Sequence, residues 1–117
     1  MKSKNPYLHF LNLKERLAHE LMPQIDLQSK KILETIAWHH HLGNALTVTQ
    51  VMQLDTIASA ATIHRKLDDL RQSGLIQNTH QGSNRRTKFL TPTKLSLRYF
   101  EKVGKLLVKT MRSNELD

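Results

Sequence analysis

The chain of 117 residues contains no cysteine. That excludes disulfides, thiolate catalysis and cysteine-ligated zinc, and with them a secreted scaffold held by cross-links. Glycine and proline are sparse, four and three, and aromatic residues make up only 5%. A disordered or fibrous chain is therefore unexpected, and one folded domain spanning 1–117 is the natural reading of this length. No apolar run approaches the roughly 20 residues that cross a bilayer. The N-terminal stretch after Met1-Lys2-Ser3-Lys4 is broken by His9 and Asn12 and leads to no small-residue cleavage site. No membrane association and a cytoplasmic location are the expectations.

Acid is also scarce, and unevenly so. Eighteen Lys and Arg stand against ten Asp and Glu, a formal charge of +8. Between Asp69 and Glu101 there is no acidic residue, while Arg71, Arg85, Arg86, Lys88, Lys94 and Arg98 lie inside that span. A basic excess concentrated in one segment suits a polyanionic partner, nucleic acid before all others.

What is present reads mainly as helix. Asn5-Pro6 is a helix start, with proline where its missing N–H is harmless, and Pro23 ends that helix near Met22. Phe10, Leu13, Leu17 and Leu21 form a stripe at helical spacing, and Tyr7, Leu8 and Leu11 widen it. Either the helix is buried or it also packs on a second subunit. Asp26 caps a second helix that stops at Leu42 before Gly43-Asn44, with Leu33, Ile36, Ala37 and His40 expected inside.

Thr47 followed three places later by Gln50 is a capping box opening a short helix that ends near Leu54. Ser59 then caps a fourth helix over 60–73, closed by Gly74. Ile63, Leu67 and Leu70 anchor its inner face, leaving Ala61, Arg65, Asp68 and Gln72 outside. Strands are expected over 75–79 and 87–91 around a turn at 81–84, and a final helix from Thr91-Pro92-Thr93 to Arg112, with Leu95, Tyr99 or Phe100, Val103, Leu106 or Leu107 and Thr110 inward.

A short capped helix, a brief turn and a second capped helix make a helix-turn-helix. The major groove, about 12 Å wide, accepts one α-helix entering with its N-terminal residues nearest the bases. Ser59, Ala60 and Ala61 let the backbone approach, and Thr62, His64 and Arg65 are placed to reach bases or phosphates. Arg65 is the foremost candidate, because its fork can pair with both acceptors of a guanine. The hairpin tip adds Asn84, Arg85, Arg86 and Lys88, a basic wing suited to a minor groove or flanking phosphates.

Other clusters have plainer explanations. Successive residues on a helix point about 100° apart, so His39-His40-His41 cannot share one metal ion, and cations are ordinary at a helix C-terminus. Asp68 and Asp69 have Arg65, Lys66 and Arg71 for charge pairing, with tuning of Arg65 a second role for Asp68. Trp38 reads as core or interface. Ser59 lacks the partners of a nucleophile, and no glycine-rich phosphate loop is present. No enzymatic activity, cofactor or metal is expected.

The segments Leu46-Thr47-Val48-Thr49-Gln50-Val51-Met52, Ser59 to Leu70, Gly74-Leu75-Ile76 and Asn84-Arg85-Arg86-Thr87-Lys88 resemble those of the MarR-type winged-helix transcriptional regulators, over roughly residues 46–93. The resemblance implies a mainly α winged helix-turn-helix with a small β-hairpin. It also implies a homodimer joined by flanking helices at 5–22 and 93–112 around a DNA-binding core at 26–91, and sequence-specific binding of double-stranded DNA. The family wing carries Asp-x-Arg; here Asn84 takes the place of the Asp and Arg86 matches the Arg. A winged-helix protein-interaction module, or a DNA-binding protein of replication or a mobile element, is the alternative.

Overall fold

The computed structural model describes residues 5–115, apart from the side chains of residues 84 and 113–115. Among these residues the order is α1 (Pro6–Leu21), α2 (Leu27–His41), β1 (Leu46–Thr47), α3 (Val48–Met52), α4 (Ala60–Gln72), β2 (Ile76–Gln81), β3 (Asn84–Pro92) and α5 (Lys94–Glu115). Two compact units result: Ile25–Ser96, and α1 together with α5 from Leu97 onward.

In the Ile25–Ser96 unit each helix starts on a side-chain cap. Asp26 accepts from the Ser29 N–H at 2.8 Å. At α3 both halves of the capping box form: the Gln50 N–H donates to Thr47 Oγ1 (3.1 Å), and the Thr47 N–H donates to Gln50 Oε1 (2.9 Å). Gly74, at φ +75°, ends α4. Its N–H reaches the Arg71 carbonyl, and the Leu75 N–H reaches that of Leu70, the paired bonds of a left-handed helix terminus.

The core of this unit is made by Ile32, Leu33 and Ile36 from α2, Val51 from α3, Ile63, Leu67 and Leu70 from α4, and Leu75, Ile76 and Leu90 around the sheet. Each such side chain contributes about 1.5–3 kcal/mol by leaving water. The inner side of α2 begins a turn earlier than its sequence suggests. Ser29 and Ile32 are buried with Leu33 and Ile36, whereas Ala37 and His40 are only partly covered.

The hairpin is larger than expected and has a third strand. The antiparallel order is β1-β3-β2, with Leu46 opposite Leu90 and Thr47 opposite Phe89. Only Gly82 and Ser83 form the turn. Positive φ at Gly82 (+57°) and not at Ser83 is the pattern of a type II′ hairpin. Thr91 and Pro92 belong to β3, paired with Gln77 and Ile76, so α5 starts at Lys94 rather than at Thr91. Thr93 and Ser96 pin that start: Thr93 Oγ1 donates to the Gly74 carbonyl (2.6 Å) and Ser96 Oγ to that of Leu75 (2.7 Å). The short helix α3 likewise ends at Met52, before Leu54.

In the other unit, α1 is capped by Asn5, whose side chain accepts from the Leu8 N–H at 3.1 Å, with Pro6 in its first turn. No residue of α1 is fully buried. Along α5 the covered strip runs through Tyr99, Phe100, Val103, Leu106 and Thr110, whereas Leu107 faces outward at 47% exposure. Leu95, near the start of α5, is also exposed. Thr110 is buried with its hydroxyl donating to the Leu106 carbonyl at 2.8 Å.

Candidate nucleic-acid interface

The helix α4 has two faces of opposite character. Ile63, Leu67 and Leu70 are sealed in the core. Ser59, Ala60, Ala61, His64 and Arg65 are exposed, and Thr62 is half-buried. A short chain of hydrogen bonds runs along the outer edge. The Thr62 N–H donates to Ser59 Oγ (3.3 Å), Ser59 Oγ donates to Thr62 Oγ1 (3.0 Å), and Arg65 Nη2 donates to Thr62 Oγ1 at a long 3.4 Å. Ser59 is thus occupied as the cap, and Arg65 lies back toward the helix N-terminus. That is the direction in which a helical side chain naturally leans, and it keeps the guanidinium at the end that a groove admits.

Asp68 does not engage Arg65. Its Oδ1 accepts from Arg71 Nη1 at 2.9 Å, and its Oδ2 stands 3.7 Å from His64 Nδ1. Arg71 Nε in turn donates to Asn78 Oδ1 at 3.1 Å, so a polar bridge joins α4 to β2. The i,i+3 pair was legible in the sequence. The link to Asn78 was not, because it depends on how the sheet packs.

The register explains the shape of the wing. Thr79 pairs with Phe89, and the next pair is Gln81 with Asn84. Between these two pairs the register shifts, a bulge that sets His80 across from the basic segment of β3. Carrying its proton on Nδ1, His80 donates to the Thr87 carbonyl at 3.1 Å. Arg85, Arg86 and Lys88 are exposed, and the side chain of Asn84 lies outside the described residues. Nothing in the residue pattern signalled His80 as a partner of the wing.

On the opposite side of its capping role, Asp26 forms an ion pair with Lys66, which ties the start of α2 to α4. The lysine and the Ser29 N–H together hold its carboxyl down to a pKa of about 2. Trp38 is not a core residue. It is 58% exposed, its ring stacked on His41 at 5.8 Å between centroids. Among the described residues no three His, Asp or Glu side chains are grouped to hold a metal ion, and no helix is long and apolar enough to cross a membrane.

A three-stranded wing following a capped helix pair defines the winged helix-turn-helix class. No family model matches the chain, and no curated protein is similar to it in sequence. Solved structures do match. The S. aureus MepR–DNA complex superposes with a TM-score of 0.64 at 14% identity, over 94% of this chain and 86% of that one. S. aureus MarR in complex with salicylate and kanamycin gives 0.58 at 23% identity, over 92% and 67%. A MarR variant from E. coli gives 0.54 at 15% identity, over 92% and 74%. The chain has the winged-helix fold of MarR-type proteins, among them MepR, a transcription regulator of the Staphylococcus aureus multidrug efflux pump MepA.

Proposed function

We propose that this chain is a homodimeric, sequence-specific double-stranded DNA-binding protein that regulates transcription and catalyses no reaction. The observation that carries the reading is the two-faced α4: Ile63, Leu67 and Leu70 hold it from behind while Ala60, Ala61, His64 and Arg65 stand in solvent. The first turn of α4 enters the major groove, its small alanines allowing close approach and its free N–H groups favouring a phosphate. Thr62, His64 and Arg65 read bases there, with Ser59 as the cap that keeps the turn wound. The exposed Arg85, Arg86 and Lys88 meet the adjacent phosphates or minor groove, with Asn84 at the base of the tip.

Residues 1–117 act as one winged-helix domain, with the flanking helices as the dimerisation elements. Tyr7, Leu8 and Leu11 on α1, and Leu97, Leu107, Val108 and Met111 on α5, are large apolar side chains left exposed by a single copy. A two-fold dimer presents its recognition helices to half-sites one helical turn apart, about 34–36 Å. The site of action is the cytoplasm, where such a regulator meets its DNA.

Selection of bound duplexes from a random pool, followed by titration across salt, tests the proposal. Arg65→Ala is expected to weaken the selected duplex by about 1–3 kcal/mol and to relax preference at one position. Arg85→Glu/Arg86→Glu is expected to weaken all duplexes alike and to flatten the slope of log affinity against log salt by about 0.9 for each phosphate no longer neutralised. Equal binding by wild type and both variants would remove α4 and the wing from the interface.

A further inference from the structure

The helix pair α1 and α5 carries a second feature, separate from its exposed apolar residues. Rotation of about 100° per residue divides α5 into strips. Tyr99, Val103, Leu106 and Thr110 share the covered one, and Leu97, Leu107 and Met111 lie on an exposed apolar one. A third is cationic and exposed, formed by Arg98, Lys102, Lys105, Lys109 and Arg112. Where this cationic strip faces α1, an open groove of about 340 Å³ is lined by the half-buried Leu13, Leu17 and Leu106. Its edges carry Arg16 on α1 and Lys102, Lys105 and Lys109 on α5, against Glu20. Glu101 reaches Lys105 at 3.3 Å but leaves Lys102 and Lys109 to the groove.

We propose that this groove docks an amphipathic helix of a partner protein, with its apolar stripe on Leu13, Leu17 and Leu106 and an acidic flank along the lysines. Charge complementarity selects the occupant. Lys102, Lys105 and Lys109 stand at i, i+3 and i+7, about 4.5 and 10.5 Å apart along the axis. A second helix lying alongside can match that row with carboxylates one heptad apart while its leucines enter the groove. A second copy of this chain fits poorly by its α5, which carries six Lys and Arg against Glu101 and Glu115 and would bring like charge to like. A phosphate backbone would satisfy the lysines but leave the leucine floor wet. The proposal stands independently of the DNA-binding reading.

The test uses the full chain and a fluorescent helical peptide of about 15 residues, with leucine at i, i+3 and i+7 and glutamate along one flank. Anisotropy is expected to report saturable binding, weakened about tenfold or more by Lys102→Gln/Lys105→Gln/Lys109→Gln and by Leu13→Gln. Both variants are expected to keep the wild-type circular dichroism. A scrambled peptide of equal composition is expected to bind at least about tenfold more weakly, because it keeps the charge and loses the stripe. Equal binding of the scrambled peptide overturns the proposal, as does indifference of the intact peptide to the lysine variant. Displacement of the peptide by duplex DNA acting through the same lysines makes nucleic acid the occupant. Self-association in sedimentation that the lysine variant abolishes makes it a second copy.

Discussion

The two units of this chain bury their apolar residues to different degrees. In Ile25–Ser96, Ile32, Ile36, Val51, Ile63, Leu67, Leu70, Leu75 and Leu90 are withdrawn from water almost completely. In the other unit, α1 has sixteen residues and none of them is buried, while α5 leaves Leu97, Leu107, Val108 and Met111 in solvent. The first unit has a closed core, although it leaves Leu27, Trp38 and Leu42 exposed. The second has apolar surface that a lone chain does not cover, and large exposed apolar area is the usual mark of an interface.

That contrast can be broken most directly by truncation. Leu67→Ala is expected to cost about 2–5 kcal/mol in urea unfolding, because the cavity forms in a closed core. Leu17→Ala, at a half-covered position in α1, is expected to cost under about 1.5 kcal/mol. Equal costs would show that the helix pair is as tightly packed as the winged helix.

A charge placed on the exposed strip sharpens the comparison. Leu107→Glu/Met111→Glu is expected to shift the chain to monomer in sedimentation and to abolish the concentration dependence of Tm. The far-UV circular dichroism of the winged-helix unit is expected to survive. A variant that remains dimeric would move the interface elsewhere.

The smallest effect belongs to Asp26, whose carboxyl titrates at about 2 because Lys66 and the Ser29 N–H hold its ionised form. A carboxylate with a lowered native pKa adds stability that is fully present above its unfolded value, near 3.9. That contribution is lost as pH falls from there through about 2. The side chain is half exposed, so screening leaves the ion pair and cap worth about 0.5–1 kcal/mol. Asp26→Asn keeps a capping oxygen and is expected to remove only the ion-pair share at pH 7, and to flatten the acid limb of a stability–pH curve. An unchanged limb would show that the pair contributes nothing measurable.

Much of the fold was legible because helix starts are local. Asn5, Asp26, Thr47 and Ser59 each accept from a backbone N–H three residues ahead, a bond that needs no other part of the molecule. The inner stripe of α4 was equally plain, since Ile63, Leu67 and Leu70 are the apolar residues at that spacing. The stripe of α5 was misread in part. Hydrophobicity favoured Leu95, which is exposed, while Ser96 is buried with its hydroxyl donated to the Leu75 carbonyl. Tyr99 and Thr110 are buried as their spacing suggests, and Leu106 rather than Leu107 lies on the covered strip. At the candidate site, exposure of Ala61 and Arg65 followed from the period of the helix. The link from Arg71 on to Asn78 did not.

From its residues alone the chain determined where α1, α2 and α4 begin and end, which face of α4 is apolar, and that its cations gather in a segment without acid. These are properties of spacing and of bonds between near neighbours. Tertiary structure decided the third strand, the extent of the turn, the register shift opposite Arg85 to Lys88, and the strip of α5 that faces inward. The third strand rests on partners dozens of residues away, Leu46 with Leu90, and the rest on how the strands register and pack. Two residues of β1 carry no periodicity of their own, and only the edge offered by β3 makes them a strand.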